Sequence, residues 1–108
     1  VDQPDDTLHI ICAFSMTPIG SSESVSGPVA EVVRLVRESG LPNETNAMFT
    51  NVEGPWDDVM NLIRLCCQEM ERVAPRVSVV MKVDCRKGVR DGLRSKVLSV
   101  EERLVEHA

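Results

Sequence analysis

The stretch Thr50–Met60, TNVEGPWDDVM, carries four signals at once. Thr50, Asn51 and Val52 end an extended segment, and Gly54-Pro55 breaks it. Pro55 suits the first helical position, where a missing N–H is no loss and φ is already helical. Asp57 and Asp58 fall in the first turn, where the positive end of the helix dipole favours carboxylates. Val59 and Met60 open an apolar stripe. Glu53 and Trp56, the chain's single Trp, are left at a strand-to-helix junction, a place from which a fold can aim polar groups at a ligand. The plainer alternative is a well-made helix start and nothing more.

Working outward, each flank repeats the strand–helix pattern. Leu8–Thr17 reads as a strand, with Leu8, Ile10, Cys12, Phe14 and Met16 on one face and His9, Ile11, Ala13, Ser15 and Thr17 on the other. Pro18–Ser22 is expected to end it in a loop. A helix is predicted over roughly Val25–Ser39, capped by Ser24, with Val25, Val29, Val32, Val33 and Val36 at helical spacing and Gly40 as its stop. Asn43–Met48 and Thr50–Glu53 read as short extended pieces, the first polar enough for a sheet edge. The second helix is predicted from Pro55 to Val73, with Val59, Leu62, Ile63, Cys66, Met70 and Val73 facing inward. Arg76–Cys85 alternates cleanly as a strand. After a charged linker, Arg86–Gly92, a third helix is expected over Leu93–Glu106, with a narrow stripe of Leu93, Val97, Val100 and Leu104.

Strand, helix, strand, strand, helix, strand and an added helix make an α+β, ferredoxin-like βαββαβ arrangement: an antiparallel sheet, two helices on one face and a C-terminal helix. The other face, carrying Ile11, Ala13 and Val80, is left to be covered by the third helix or by a second subunit. We expect the second subunit, because one narrow stripe hides only part of a four-stranded face. At 108 residues the chain reads as one domain over 7–108 behind a mobile lead-in, Val1–Asp6.

Composition narrows the function. A net charge of −5 argues against nucleic acid and anionic membrane surfaces. There is no apolar run long enough to span a bilayer, and no signal peptide is seen, so the cytoplasm is the expected location. Cys12, Cys66, Cys67 and Cys85 form no C-x-x-C pair, and His9 and His107 are the only histidines, so no metal site is expected and buried free thiols are the natural reading. Asp57 and Asp58 diverge by about 100° on a helix, which suits helix-start electrostatics better than paired acid–base work. No cofactor motif is present, and a thiol paired with His9 is the only nucleophile arrangement worth naming. The basic run Arg86, Lys87, Arg90, Arg94 and Lys96 can hold an anion or pair across a subunit contact; we favour the contact. Ser15, Thr17, Asn46, Thr50 and Glu53, with Met48 and Trp56 close by, form the remaining cluster, a set suited to a small heteroaromatic ligand.

Four stretches together, SMTPIG (15–20), MFTNVEGPWDDVMNLI (48–63), VDCRKG (83–88) and GLRSKVLSVEERL (92–104), resemble the thiamine-binding protein family of small YkoF-like proteins. The resemblance covers nearly the whole chain after the lead-in. It implies a ferredoxin-like fold in dimers or a dimer-of-dimers tetramer, and non-catalytic binding of thiamine or its hydroxymethylpyrimidine part. It assigns the pocket to Ser15, Thr17, Met48, Thr50 and Glu53; Phe49 stands where many members have Gly and is expected to reshape it. An aminopyrimidine offers an amino donor beside a ring-nitrogen acceptor. Glu53 suits the first, Ser15, Thr17, Thr50 or Asn46 the second, and Trp56 can stack on the ring. The competing reading is a ferredoxin-like assembly module with no small-molecule ligand.

Overall fold

The computed structural model describes residues 8–20, 26–85, 87–88 and 91–106, the side chains at 26, 95, 96 and 106 excepted. The elements are β1 (His9–Ile19), α1 (Ser26–Glu38), β2 (Asn43–Thr45), β3 (Thr50–Pro55), α2 (Trp56–Glu71), β4 (Arg76–Cys85) and α3 (Gly92–Glu106). Every neighbouring pair in the sheet is antiparallel, in the order β2-β3-β1-β4. This is the ferredoxin-like α+β arrangement expected from the element order.

The period-2 patterning of β1 decides which face is dry. Ile10, Cys12 and Phe14 are buried and meet Val52 from β3, Val32 and Val36 from α1, and Val59, Leu62, Ile63, Cys66 and Met70 from α2. Each buried aliphatic side chain contributes about 1.5–3 kcal/mol of transfer free energy. That burial, rather than propensity, holds the Val-rich α1 in helical form. Val29 and Val73, expected on the inward stripes, are exposed: Val29 lies in the first turn of α1, and α2 ends at Glu71, before Val73. On the opposite face Ile11 and Ala13 are half-buried and Val80 is exposed.

Among the departures from expectation are two element ends and the burial of one thiol, and β2 stops at Thr45 rather than Met48. β1 runs on through Pro18 to Ile19 instead of stopping at Thr17. Its register with β3 ends at Phe14–Thr50, while pairing with β4 continues to Ile19–Arg76. Beyond Phe14 β1 is therefore an edge strand, where proline is tolerated. Pro55 is the last residue of β3 and the N-cap of α2, at φ −59° and ψ 144°, so the helix starts one residue later than the proline rule suggests. Cys85, read as a buried thiol, is exposed. It sits at the last position of β4, an outer strand of the sheet. The lead-in Val1–Asp6, the Ser24 cap, Val25, Arg86, Arg90 and His107 lie outside the described residues.

Gly20 closes β1 at φ +86°, and a Cβ added there would lie 2.9 Å from Cγ of Pro75. Left-handed backbone costs a non-glycine residue about 1–2 kcal/mol. Gly20→Ala is therefore expected to lower the unfolding free energy by at least about that amount, read from the midpoint of a urea titration. An unchanged midpoint would contradict this account of the β1 terminus.

Candidate functional site

Two features separate the seven predicted site residues. The first is a pocket on the helix-covered side of the sheet. β2 is only three residues long, and β3 joins β1 only from Thr50 onward, so the Asn46–Phe49 turn precedes that pairing and stands away from the end of β1. The space between them, about 200 Å³, is bounded by Phe14, Ser15 and Met16 of β1, by Val29, Val32 and Val33 of α1, by residues 45–50, and by Met70 of α2. Ser15, Asn46, Met48 and Thr50 of the predicted set are brought together here. Phe49 also lines the pocket.

The turn is built by Asn46. Its Oδ1 accepts from the backbone N–H groups of Met48 and Phe49, each at 2.9 Å, and its own N–H donates to the Phe49 carbonyl at 3.0 Å. This Asx arrangement pins the loop and leaves the Asn46 amide NH₂ as the group it can offer a ligand. Thr50, only 8% exposed, offers a hydroxyl that both donates and accepts. Thr45 adds another, a residue the sequence reading passed over because the β2 pattern gave no sign of which face it would present. No Asp, Glu, Lys, Arg or His is among the described residues lining the pocket. An ion entering it would lose water without gaining a counter-charge, so the site suits a neutral, partly apolar molecule.

The second feature lies on the other side of the sheet. Glu53 is fully buried. Its Oε2 accepts from Gly92 N–H at 2.7 Å and from His9 Nε2 at 2.9 Å, and its Oε1 from Leu93 N–H at 3.0 Å. Because an ionised carboxylate only accepts, His9 carries its proton on Nε2 in this contact. Burial pushes the Glu53 carboxyl upward, but the bonds from Leu93, His9 and Gly92 outweigh it and hold the group below its ordinary value of 4.5. Glu53 thus caps the first amides of α3 from some forty residues away in sequence, at the end of the helix whose dipole favours an anion.

The other predicted residues stand elsewhere. Thr17 is paired with Ser78 in the β1–β4 register and is exposed. Trp56 is exposed at the start of α2, its backbone N–H donating to the Leu8 carbonyl at 2.9 Å. Neither Thr17, Glu53 nor Trp56 is among the lining residues of the pocket. Asp57 and Asp58 are exposed in the first turn of α2, as helix-start electrostatics requires. Asp58 borders a wider, shallow groove between α1 and α2 with Leu35, Glu38 and Leu65.

Chemistry that depends on an activated thiol finds little support here. Burial pushes Cys66 up to about 11, with the neighbouring Cys67 adding to the shift. Burial also raises Cys12 and Cys67. Such thiols stay protonated and inert at neutral pH. His9, the candidate partner of a thiol, is hydrogen-bonded to Glu53. Among the described residues no group of three or more His, Cys, Asp or Glu is placed to hold a metal ion, and no helix is long and apolar enough to cross a membrane.

The described residues thus form a ferredoxin-like domain with a small pocket whose described lining carries no charged side chain. The chain belongs to the thiamine-binding protein family, whose model matches residues 12–101. It is 46% identical over 99 residues to the UPF0045 protein Mb1933 of Mycobacterium bovis, covering 91% of this chain and 97% of that one. Among solved structures it is similar to the hypothetical protein MJ1052 of Methanocaldococcus jannaschii, with a TM-score of 0.77, 26% identity, and coverage of 87% of this chain and 97% of that one. The fold is shared with TM0486 of Thermotoga maritima, described as a candidate thiamine biosynthesis/salvage protein, at a TM-score of 0.70 and 16% identity over 82% of this chain and 98% of that one.

Removing the Glu53 carboxylate strands two backbone N–H groups and His9. Glu53→Ala is expected to cost about 2–4 kcal/mol and to speed hydrogen exchange at the Leu93 amide, while Glu53→Gln, which keeps one acceptor, costs less. Since the folded-state pKa is lowered, this contribution is complete above the unfolded value and is lost as pH falls through the folded one. Urea titrations from about pH 3 to pH 7 should show a shallower acid-side loss in Glu53→Gln than in the parent. Parallel curves would refute the ionised cap.

Proposed function

We propose that this protein is a non-catalytic binder of a neutral heteroaromatic molecule of the hydroxymethylpyrimidine class, and of thiamine through that ring. The carrying observation is the pocket: Met16, Met48, Met70, Phe14 and Phe49 supply soft and aromatic walls, and Ser15, Thr45, Asn46 and Thr50 supply neutral donors and acceptors. Methionine sulfur contacts aromatic rings favourably, and hydroxyl and amide groups satisfy ring nitrogens and an exocyclic amine. Membership of a family named for thiamine binding supports the same choice. The cationic thiazolium ring of thiamine finds no counter-charge among the lining residues, so it would stay at the mouth while the pyrimidine enters. Glu53 and Trp56 then act through the scaffold: Glu53 by fixing α3 and Trp56 by starting α2. Four free cysteines suit a reducing compartment, and the proposal places the protein in the cytoplasm.

Calorimetric titration tests the reading. Hydroxymethylpyrimidine should bind saturably and raise the melting temperature by mass action. Thr50→Val and Asn46→Ala should each weaken it by about two- to tenfold, the scale of one hydrogen bond. No heat and no thermal shift with either hydroxymethylpyrimidine or thiamine at millimolar concentration would leave the assembly module as the better account.

Assembly has its own support. After its anchored start α3 leaves the sheet, and Val97, Val100 and Leu104 are 47%, 58% and 66% exposed. With Val80 they form apolar surface of the kind a second copy of the chain covers. The proposed assembly is a homodimer or a dimer of dimers. Sedimentation velocity should show it, and Val100→Glu or Leu104→Glu should shift it towards the monomer. A parent chain that sediments as a monomer at high micromolar concentration would end this part of the proposal.

A further inference from the structure

We propose that Met48 is a modification site, at which oxidation of the thioether by hydrogen peroxide weakens ligand binding in the pocket. The inference rests on the binding reading above. Three of the five methionines in the chain, Met16, Met48 and Met70, line this one pocket. Their accessibilities differ sharply. Met70 is 1% exposed and Met16 is partly buried against the core, whereas Met48 is 74% exposed. Met48 therefore does two things at once: it forms part of the pocket wall and it is largely open to solvent. Its backbone N–H is held by the bond to Asn46 Oδ1, which fixes the residue's place in the turn at the pocket.

The chemistry balances without any further reagent. A sulfur lone pair attacks one peroxide oxygen, the S–O bond forms as the O–O bond breaks, and water leaves. Sulfur loses two electrons and peroxide gains them. The product sulfoxide is a polar, chiral acceptor that favours water over an apolar ring, and a two-electron reduction by a methionine sulfoxide reductase reverses it. Thioether oxidation needs no proton loss, so it is governed by access, and access singles out Met48 among the three. Met81, 41% exposed on β4 and absent from the pocket wall, is a built-in comparison. Cys85 is exposed and also consumes peroxide, so the test is run in Cys85→Ser protein.

The experiment has three arms. Hydroxymethylpyrimidine is first titrated into untreated protein; absence of binding here overturns the binding reading and this proposal with it. After limited peroxide treatment, peptide mass spectrometry should find one added oxygen on Met48 ahead of Met16, Met60 and Met70, and the affinity should fall about tenfold and return on reductase treatment. Met48→Leu, compared with its own untreated affinity, should no longer respond to peroxide. Met81→Leu should remain as sensitive as the parent. Stoichiometric Met48 sulfoxide with unchanged affinity overturns the proposal while leaving the binding reading intact. So does equal peroxide sensitivity in Met48→Leu.

Discussion

A carboxylate that loses all contact with water needs every one of its partners inside the protein. Glu53 finds them in two amides of α3 and one ring nitrogen of β1. That requirement ties the first turn of the C-terminal helix to the middle of the sheet. The rest of α3 is free of the sheet, so the helix is anchored at one end and presents its apolar side chains outward. The exposed apolar side chains of α3 thus follow a start fixed by one buried charge and its hydrogen bonds. The arrangement has a specificity that an apolar contact lacks, because the start of a helix offers adjacent N–H groups with no partner within the helix.

The same strand serves the opposite face. Thr50 and Glu53 are three residues apart on β3 and so point to opposite sides of the sheet. One borders the pocket under α1 and the other holds α3. The pocket owes its existence to a mismatch of lengths: β1 is eleven residues long, β3 six and β2 three, so the hairpin runs out while β1 continues. The Asx bonds of Asn46 then fix the turn over the gap. Its lining is uncharged, which directs the proposed ligand towards the pyrimidine half of thiamine.

Much of this was legible in the residues. The element order, the inward faces of β1 and α2, and the bounds of β4 follow from apolar spacing, because core burial imposes one period on strands and another on helices. The misjudged positions are those whose state depends on a neighbour distant in sequence. Pro18 continues a strand because β3 has already departed. Cys85 is exposed because its strand lies at the sheet's rim. Ser15, Asn46, Met48 and Thr50, grouped by their chemistry, line one pocket. Glu53 and Trp56 were grouped with them as a hydrogen-bond acceptor and a stacking ring, and β3 alternation and the start of α2 place them outside its lining.

By itself, then, the sequence determined the periodicities, the breaks at Gly and Pro, the family, and the inventory of neutral polar and soft apolar groups near the hairpin. These are local properties, set by backbone preference and by the pattern of side chains along a few turns or strand residues. The tertiary structure alone decided which groups share a cavity, which methionine of that cavity is exposed, and that the carboxylate in the most telling stretch belongs to α3. Those outcomes depend on sheet register and on where each strand stops. A one-residue change of register reverses every side chain's face, and no local signal encodes a contact between Glu53 and residues 92 and 93.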